Sequence, residues 1–206
     1  QSTIPADPDQ WLVVVPDPDL GDRDTYQVVF FEVPDTITSP IYFAIEDPGS
    51  GPTAGYPNEA IADAANEDTF FTLIGGAGAL SDPAARYYDY SAGGDPYVGT
   101  ELDSLTFRAE DGWHYFTSVL PSQGEHIGNK YYFKIVVEHE TGSGDSLKNG
   151  FRLSVDYDTP ATPAGIAGVD AFAYGWTLAL SSRNEIWNLY PFVPPGDEDS
   201  DSGNDD

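Results

Sequence analysis

The chain has 206 residues and carries 8 Lys and Arg against 35 Asp and Glu, a formal net charge of −27. This charge leaves no basic face that could bind nucleic-acid phosphates or anionic lipid headgroups, so both partner classes are excluded. No apolar run approaches the roughly 18 residues of a transmembrane helix, so we expect no membrane insertion.

The composition favours an all-β domain. Hydrophobic residues make up 40% of the chain and aromatic residues 14%, which is enough for a core despite the acidity. The 13 Tyr and 11 Phe suit half-buried strand surfaces, and 21 Gly with 17 Pro suit many turns and few long helices.

Two features of the composition predict an extracellular or cell-surface location. The chain contains neither Cys nor Met and begins at Gln1, which we interpret as the result of signal-peptide removal. The alternative is a chain cut at an arbitrary point. The excess of acids is typical of a saline habitat or of divalent-cation binding, and the two interpretations are compatible.

Strand-type segments alternate with turns along the whole chain, and 58–67 could form one or two helical turns. We predict strands at 11–15, 25–33, 40–46, 68–74, 102–108, 112–119, 129–140, 151–157, 170–180 and 185–193. Nine or ten strands without a βαβ rhythm predict an antiparallel β-sandwich, or jelly-roll-like, fold.

The turn chemistry predicts which strands pair. We expect a hairpin between 102–108 and 112–119, and the clearest hairpin between 129–140 and 151–157. Segment 185–193 contains Pro191 and is predicted to be an edge strand.

The pattern predicts one domain with two polar ends. Residues 1–10 form an extended N-terminal arm, 11–195 a single β-sandwich domain, and 196–206 an acidic C-terminal tail.

Four segments together resemble a known family of secreted modules. These are Asp24–Tyr26 opening a strand, the strand 132–137, the glycine turn after it, and the strand 149–155. The pattern is similar to bacterial β-sandwich modules of the pre-peptidase C-terminal type and covers about half the chain. The resemblance implies a jelly-roll-like accessory or surface domain without catalysis, in some cases binding calcium or glycan.

The strongest candidate for metal binding is an acidic loop. Asp17, Asp19, Asp22 and Asp24 provide four carboxylates within eight residues, and Ca²⁺ takes six to eight oxygen ligands. The alternative is a solvated acidic loop. Asp156 and Asp158 form a second, weaker pair.

A tyrosine-rich loop is the candidate ligand or protein interface. Tyr87, Tyr88, Tyr90 and Tyr97 lie in one Gly- and Asp-rich segment, where flat rings could stack on a sugar or contact a protein. The alternative is a loop packed by its own side chains.

Other chemistries have weak support. His114, His126 and His139 lack a ligand spacing, and we expect His114 to face solvent. Ser143 lies between two glycines in a turn and lacks the helix that follows a nucleophile elbow. The glycines of 75–78 could cradle a phosphate, but a flexible loop is the better interpretation because no nearby Lys or Arg supports phosphate binding.

We therefore predict a non-enzymatic extracellular structural protein that self-associates into a surface layer, fibre or appendage. The alternative is a calcium- or glycan-binding accessory module of a larger secreted protein, and a hydrolase is the least favoured class. For the assembly we predict that the arm 1–10 of one subunit adds to the edge strand 185–193 of another. The alternative is that the chain's own N-terminal strand covers this edge.

Overall fold

The computed structural model describes residues 10–14, 26–46, 69–86, 94–107, 112–139, 149–174, 176–180 and 185–189. Nine strands have five residues or more: β1 (Gln10–Val14), β2 (Tyr26–Pro34), β3 (Tyr42–Glu46), β4 (Thr69–Gly75), β5 (Thr100–Phe107), β8 (Lys130–His139), β9 (Asn149–Asp156), β11 (Trp176–Leu180) and β12 (Glu185–Leu189). Three strands have three residues each: β6 (Trp113–Tyr115), β7 (Glu125–Ile127) and β10 (Asp170–Phe172).

The predicted all-β antiparallel sandwich is confirmed. One six-stranded sheet has the order β12-β11-β1-β9-β3-β6, and we call it sheet one. Sheet two has the order β10-β2-β8-β4-β5, with β7 also pairing β8. In the described ranges, helical structure is limited to two 3₁₀ turns, at Pro83–Arg86 and Pro121–Gln123. No helix in those ranges is long and apolar enough to cross a membrane.

The core lies between the two sheets. Alternate residues of the central strands β8 and β9 point inward, as the two-residue period of a strand requires. On β8 these residues are Phe133, Ile135 and Val137, and on β9 they are Phe151, Leu153 and Val155; all six are fully buried. Phe43 of sheet one contacts Phe133 of sheet two with a ring-centroid distance of 5.1 Å. Aromatic packing therefore joins the sheets directly.

Both predicted hairpins are wrong. Strand β5 pairs β4 in sheet two, whereas β6 pairs β3 in sheet one. Strand β8 pairs β2, β4 and β7 in sheet two, whereas β9 pairs β1 and β3 in sheet one. Alternation of side chains reports which face of a strand is buried, but it does not report the neighbouring strand. A connection of several residues can cross the roughly 10 Å between stacked sheets as easily as it can turn back.

The predicted strand 170–180 is divided in the same way. Strand β10 pairs β2 in sheet two, and β11 pairs β1 and β12 in sheet one. Three residues, 173–175, separate the two strands along the chain. Among the described strands β12 ends sheet one, as predicted for segment 185–193, of which 190–193 lie outside the described residues. Gln10 belongs to β1; the rest of the predicted arm, the tail 196–206 and segment 58–67 lie outside the described residues.

Candidate functional site

A second cluster of buried side chains covers the outer face of sheet two. Val28, Phe30 and Val136 point away from the core and pack against Ala79 and Leu80. Ala79 and Leu80 belong to residues 76–86, which together with residues 94–99 we call the cover segment. This face therefore has a core of its own, in addition to the one between the sheets.

Glu125 of β7 holds the cover segment in place. Its Oε1 accepts a hydrogen bond from the Gly78 N–H at 2.9 Å, and its Oε2 accepts from Leu80 N–H at 2.6 Å and Ser81 N–H at 2.8 Å. The Ser81 hydroxyl also donates to Oε1. Burial by itself raises the pKa of Glu125, but these four hydrogen bonds outweigh it and hold the pKa below its ordinary value. The carboxylate is thus a buried anion surrounded by donors.

Of the glycines of 75–78, Gly78 donates its N–H to an anion of the chain itself, the Glu125 carboxylate. The sequence pattern predicts a phosphate cradle or, preferably, a flexible loop; the described part forms hydrogen bonds within the chain, and its flexibility stays a prediction. Gly76 N–H donates to the Gln123 carbonyl at 2.8 Å, next to the Glu125 network. Gly99 has a φ of +123°, and a Cβ there would lie 2.6 Å from Ile74 Cγ2. The segment is packed closely enough that this position requires glycine.

Lys134 is a fully buried lysine on the covered face. It lies opposite Phe30 on β2 and Ile74 on β4. Its side chain has no exposed surface, and within the described part of the chain Nζ has no hydrogen-bond partner. Burial lowers the pKa of Lys134 to about 8, although attraction to Asp95, Asp82 and Glu125 acts in the opposite direction. This amine is the most perturbed cation in the described residues.

Tyr97 is the member of the predicted tyrosine cluster that the structure describes. Its ring is 39% exposed and makes an edge contact with Tyr26 at 6.0 Å between centroids. Its hydroxyl donates to Glu138 Oε2 at 2.6 Å. Partial burial, followed by the hydrogen bond to the Glu138 carboxylate, raises the pKa of Tyr97. Tyr87, Tyr88 and Tyr90 lie outside the described residues, so a role for the whole cluster in ligand or protein binding stays a prediction.

The predicted calcium loop also lies outside the described residues, with Asp17, Asp19, Asp22 and Asp24. Among the residues that are described, no three His, Asp or Glu side chains come together to hold a metal ion. Asp156 of the weaker pair accepts two backbone hydrogen bonds, and calcium binding by the pair stays a prediction. Its Oδ1 accepts from Tyr157 N–H at 2.7 Å and its Oδ2 from Ala164 N–H at 2.8 Å.

The histidines differ in their surroundings. His114 was expected to face solvent, but it is half-buried with its ring 4.8 Å from that of the buried Phe107, so this expectation is wrong. The reason is that His114 lies opposite Ile45, which faces the core. His126 is exposed, with its ring 4.7 Å from that of Tyr131. The side chain of His139 lies outside what the structure describes.

Sequence reasoning missed Lys134 and Glu125. The signal for Lys134 was present: segment 131–137 (YYFKIVV) is apolar on both faces, so a lysine inside it must be buried on one of them. No comparable signal existed for Glu125, one of 35 acids, because its partners are 44 to 47 residues away along the chain.

Ion pairs join neighbouring strands in both sheets. A lysine with a pKa near 8 has the nucleophilicity for carbonyl chemistry, but the side chain of Lys134 is fully buried. Glu46 accepts from Arg152 Nε at 2.8 Å across β3 and β9, and Lys130 pairs with Glu32. The chain matches no protein-family model, no curated protein and no solved structure to which we compared it.

Proposed function

We propose that this protein is a non-enzymatic extracellular structural protein that self-associates into a surface layer, fibre or appendage through the β12 edge of sheet one. The observation that carries this proposal is the difference between the four outer strands of the two sheets. Unpaired strand edges invite pairing with another chain, and proteins protect them by shortness or by charge.

Three of the outer strands have such protection. Strands β6 and β10 have only three residues each. Strand β5 has eight residues and carries Glu101 and Asp103. Carboxylates on an edge oppose pairing with another strongly acidic chain.

Strand β12 has neither the three-residue length nor the pair of carboxylates that protects the other three strands. It has five residues, EIWNL, whose one charge is at its first position. Its neighbour in the described structure is β11. The chain's own N-terminal strand β1 lies inside the sheet, between β11 and β9, so it is not the strand that covers β12. A strand of a second copy adds to this edge in our proposal.

The test compares edge substitutions on the two sheets. We expect Ile186→Lys and Asn188→Lys to abolish assembly in molar NaCl, measured by sedimentation velocity and negative-stain electron microscopy. Thr106→Lys on β5 is the matched control, since it makes the same charge change on an exposed position of the other edge. Assembly by all three variants, or a wild-type chain that is monomeric at every concentration, would contradict the proposal.

The calcium- or glycan-binding accessory module stays the alternative function, in keeping with the resemblance to pre-peptidase C-terminal modules. It depends on Asp17, Asp19, Asp22 and Asp24 and on Tyr87, Tyr88, Tyr90 and Tyr97. Calorimetric titration of the chain with CaCl₂ and with oligosaccharides tests it directly.

A further inference from the structure

We propose that strand β1 is exchanged between copies of this chain, so that β1 of one subunit completes sheet one of the next. This inference rests on the proposed self-association and adds a second link between subunits, besides the contact at the β12 edge. It differs from edge addition at β12, because the exchanged strand takes an interior position in the sheet.

The first argument is the place of β1 in sheet one. Gln10, Trp11 and Leu12 pair with Leu180, Ala179 and Leu178 of β11. Leu12, Val13 and Val14 pair with Phe151, Gly150 and Asn149 of β9. The first half of β1 therefore holds the β11–β12 hairpin, and the second half holds the rest of the sheet. In the strand order, β1 alone separates that hairpin from β9.

The second argument is the length of the connections. Eleven residues, 15–25, join β1 in sheet one to β2 in sheet two. Their fully extended span is about 40 Å, whereas stacked sheets lie only about 10 Å apart. This tether is long enough for β1 to enter the sandwich of a neighbouring copy.

The C-terminal hairpin has no comparable freedom. Only residues 173–175 separate β10, in sheet two, from β11. Phe172 of β10 stacks on Phe30 at 5.4 Å, and Tyr174 contacts the same ring at 5.5 Å, which anchors the chain up to this connection. The hairpin thus stays with its own sandwich and presents a position for β1 between β11 and β9.

The third argument is that exchange conserves the interactions. A β1 strand from a second copy has the same sequence, so it forms the same backbone pairs with β9 and β11. Exchange of an identical element is a route to association at small energetic cost, and a head-to-tail exchange that does not close produces a chain of subunits.

The absence of cysteine from the sequence makes a direct test possible. Val14→Cys and Asn149→Cys are made as single variants of different mass, mixed unfolded, refolded together in molar NaCl and oxidised. Neither variant can form an internal disulfide. We expect a disulfide-linked heterodimer on non-reducing gels, because Val14 of one copy lies beside Asn149 of the other.

Ala44→Cys mixed with Ser154→Cys is the matched control, since these paired residues of β3 and β9 both belong to the body of one sandwich. We expect no heterodimer from this mixture. Trp11→Cys mixed with Ala179→Cys repeats the test on the other side of β1, in case one substitution prevents folding.

The outcomes separate the two proposals. If the chains assemble by sedimentation, but the double variant Val14→Cys/Asn149→Cys closes only within monomers and neither mixture cross-links, exchange is overturned and self-association stands. If the wild-type chain stays monomeric under all conditions, the proposed function itself fails. Heterodimers from both β1 mixtures and none from the control establish exchange.

Discussion

At the scale of single residues, the covered face of sheet two contains a buried carboxylate and a buried ammonium group that differ in their hydrogen bonding. The Glu125 carboxylate accepts four hydrogen bonds, whereas the Lys134 ammonium has no hydrogen-bond partner in the described part of the chain. A buried charge that lacks direct partners lowers the stability of a fold, since water solvates it better in the unfolded chain. We therefore expect Lys134 to reduce stability and Glu125 to increase it.

The pKa of Lys134 predicts a rise in stability at alkaline pH. Below pH about 8, both the folded and the unfolded chain keep the proton, and the cost of burying the charge is present in full. Between about 8 and the ordinary value of 10.5, the folded chain has lost the proton and the unfolded chain retains it. The free energy of unfolding then increases, by about 2 kcal/mol from pH 7 to pH 9.5.

Urea unfolding of Lys134→Met checks this prediction. At pH 7 the variant should be more stable than the wild type by about 1–3 kcal/mol, and the difference should shrink as the pH approaches 9.5. Lys130→Met is the control, because Lys130 lies on the same strand but pairs with Glu32. A difference between wild type and Lys134→Met that does not change with pH would show that Lys134 stays charged in the fold.

At the scale of elements, the cover segment depends on one side chain of a three-residue strand. Residues 76–86 connect to sheet two through Glu125 and through the packing of Ala79 and Leu80. Arg86 adds a hydrogen bond from its Nε to the Leu80 carbonyl at 2.6 Å. The segment has little regular structure of its own, and specific contacts therefore hold it on sheet two.

We expect Glu125→Gln to lower the free energy of unfolding by about 2–4 kcal/mol. The amide of glutamine turns one donor toward backbone N–H groups that are donors themselves. Hydrogen exchange at Gly78, Leu80 and Ser81 should accelerate together. Glu101→Gln on the exposed side of β5 is the control, with an expected change within about 0.5 kcal/mol. Unchanged exchange at the three amides would refute the role of Glu125.

The lowered pKa of Glu125 also gives the sign of its pH dependence. The contribution of Glu125 to the free energy of unfolding is complete above the ordinary glutamate pKa of 4.5. This contribution is lost as the pH falls through the lower pKa that Glu125 has in the folded state. The difference in stability between wild type and Glu125→Gln should therefore decrease below pH 4.5.

At the scale of the whole molecule, a net charge of −27 is self-repulsive in the folded state and between copies. Any assembly through β12 or β1 brings such charges together. Salt shortens the range of this repulsion to about 3 Å at 1 M. Added salt should therefore stabilise both the folded and the assembled state.

We expect the melting temperature to rise with NaCl and to rise further with millimolar CaCl₂ at constant ionic strength. The additional rise in melting temperature caused by CaCl₂ should be absent from the double variant Asp19→Asn/Asp22→Asn, because this variant lacks two predicted calcium ligands. Glu101→Gln/Asp170→Asn is the control, because it removes the same charge from two exposed positions outside both candidate calcium sites. An equal rise in melting temperature with CaCl₂ in both double variants would exclude the acidic loop as the calcium site.

The sequence by itself determined the class of the fold and most of the strands. Side chains such as Phe151, Leu153 and Val155 alternate with polar residues, and this local period is a property of each strand alone. The position of β12 at an edge was also predictable, since Pro191 follows it and cannot donate to a ladder.

Only the tertiary structure decided which strands pair and which charges meet. Whether two successive strands form a hairpin or lie in different sheets depends on how much apolar surface both sheets bury together. The local sequence around β5–β6 and β8–β9 does not contain this information. The contacts of Glu125 with Gly78 and Ser81, and the enclosure of Lys134, arise from residues far apart in the chain. Their energies depend on desolvation, which exists only once the chain has folded around them.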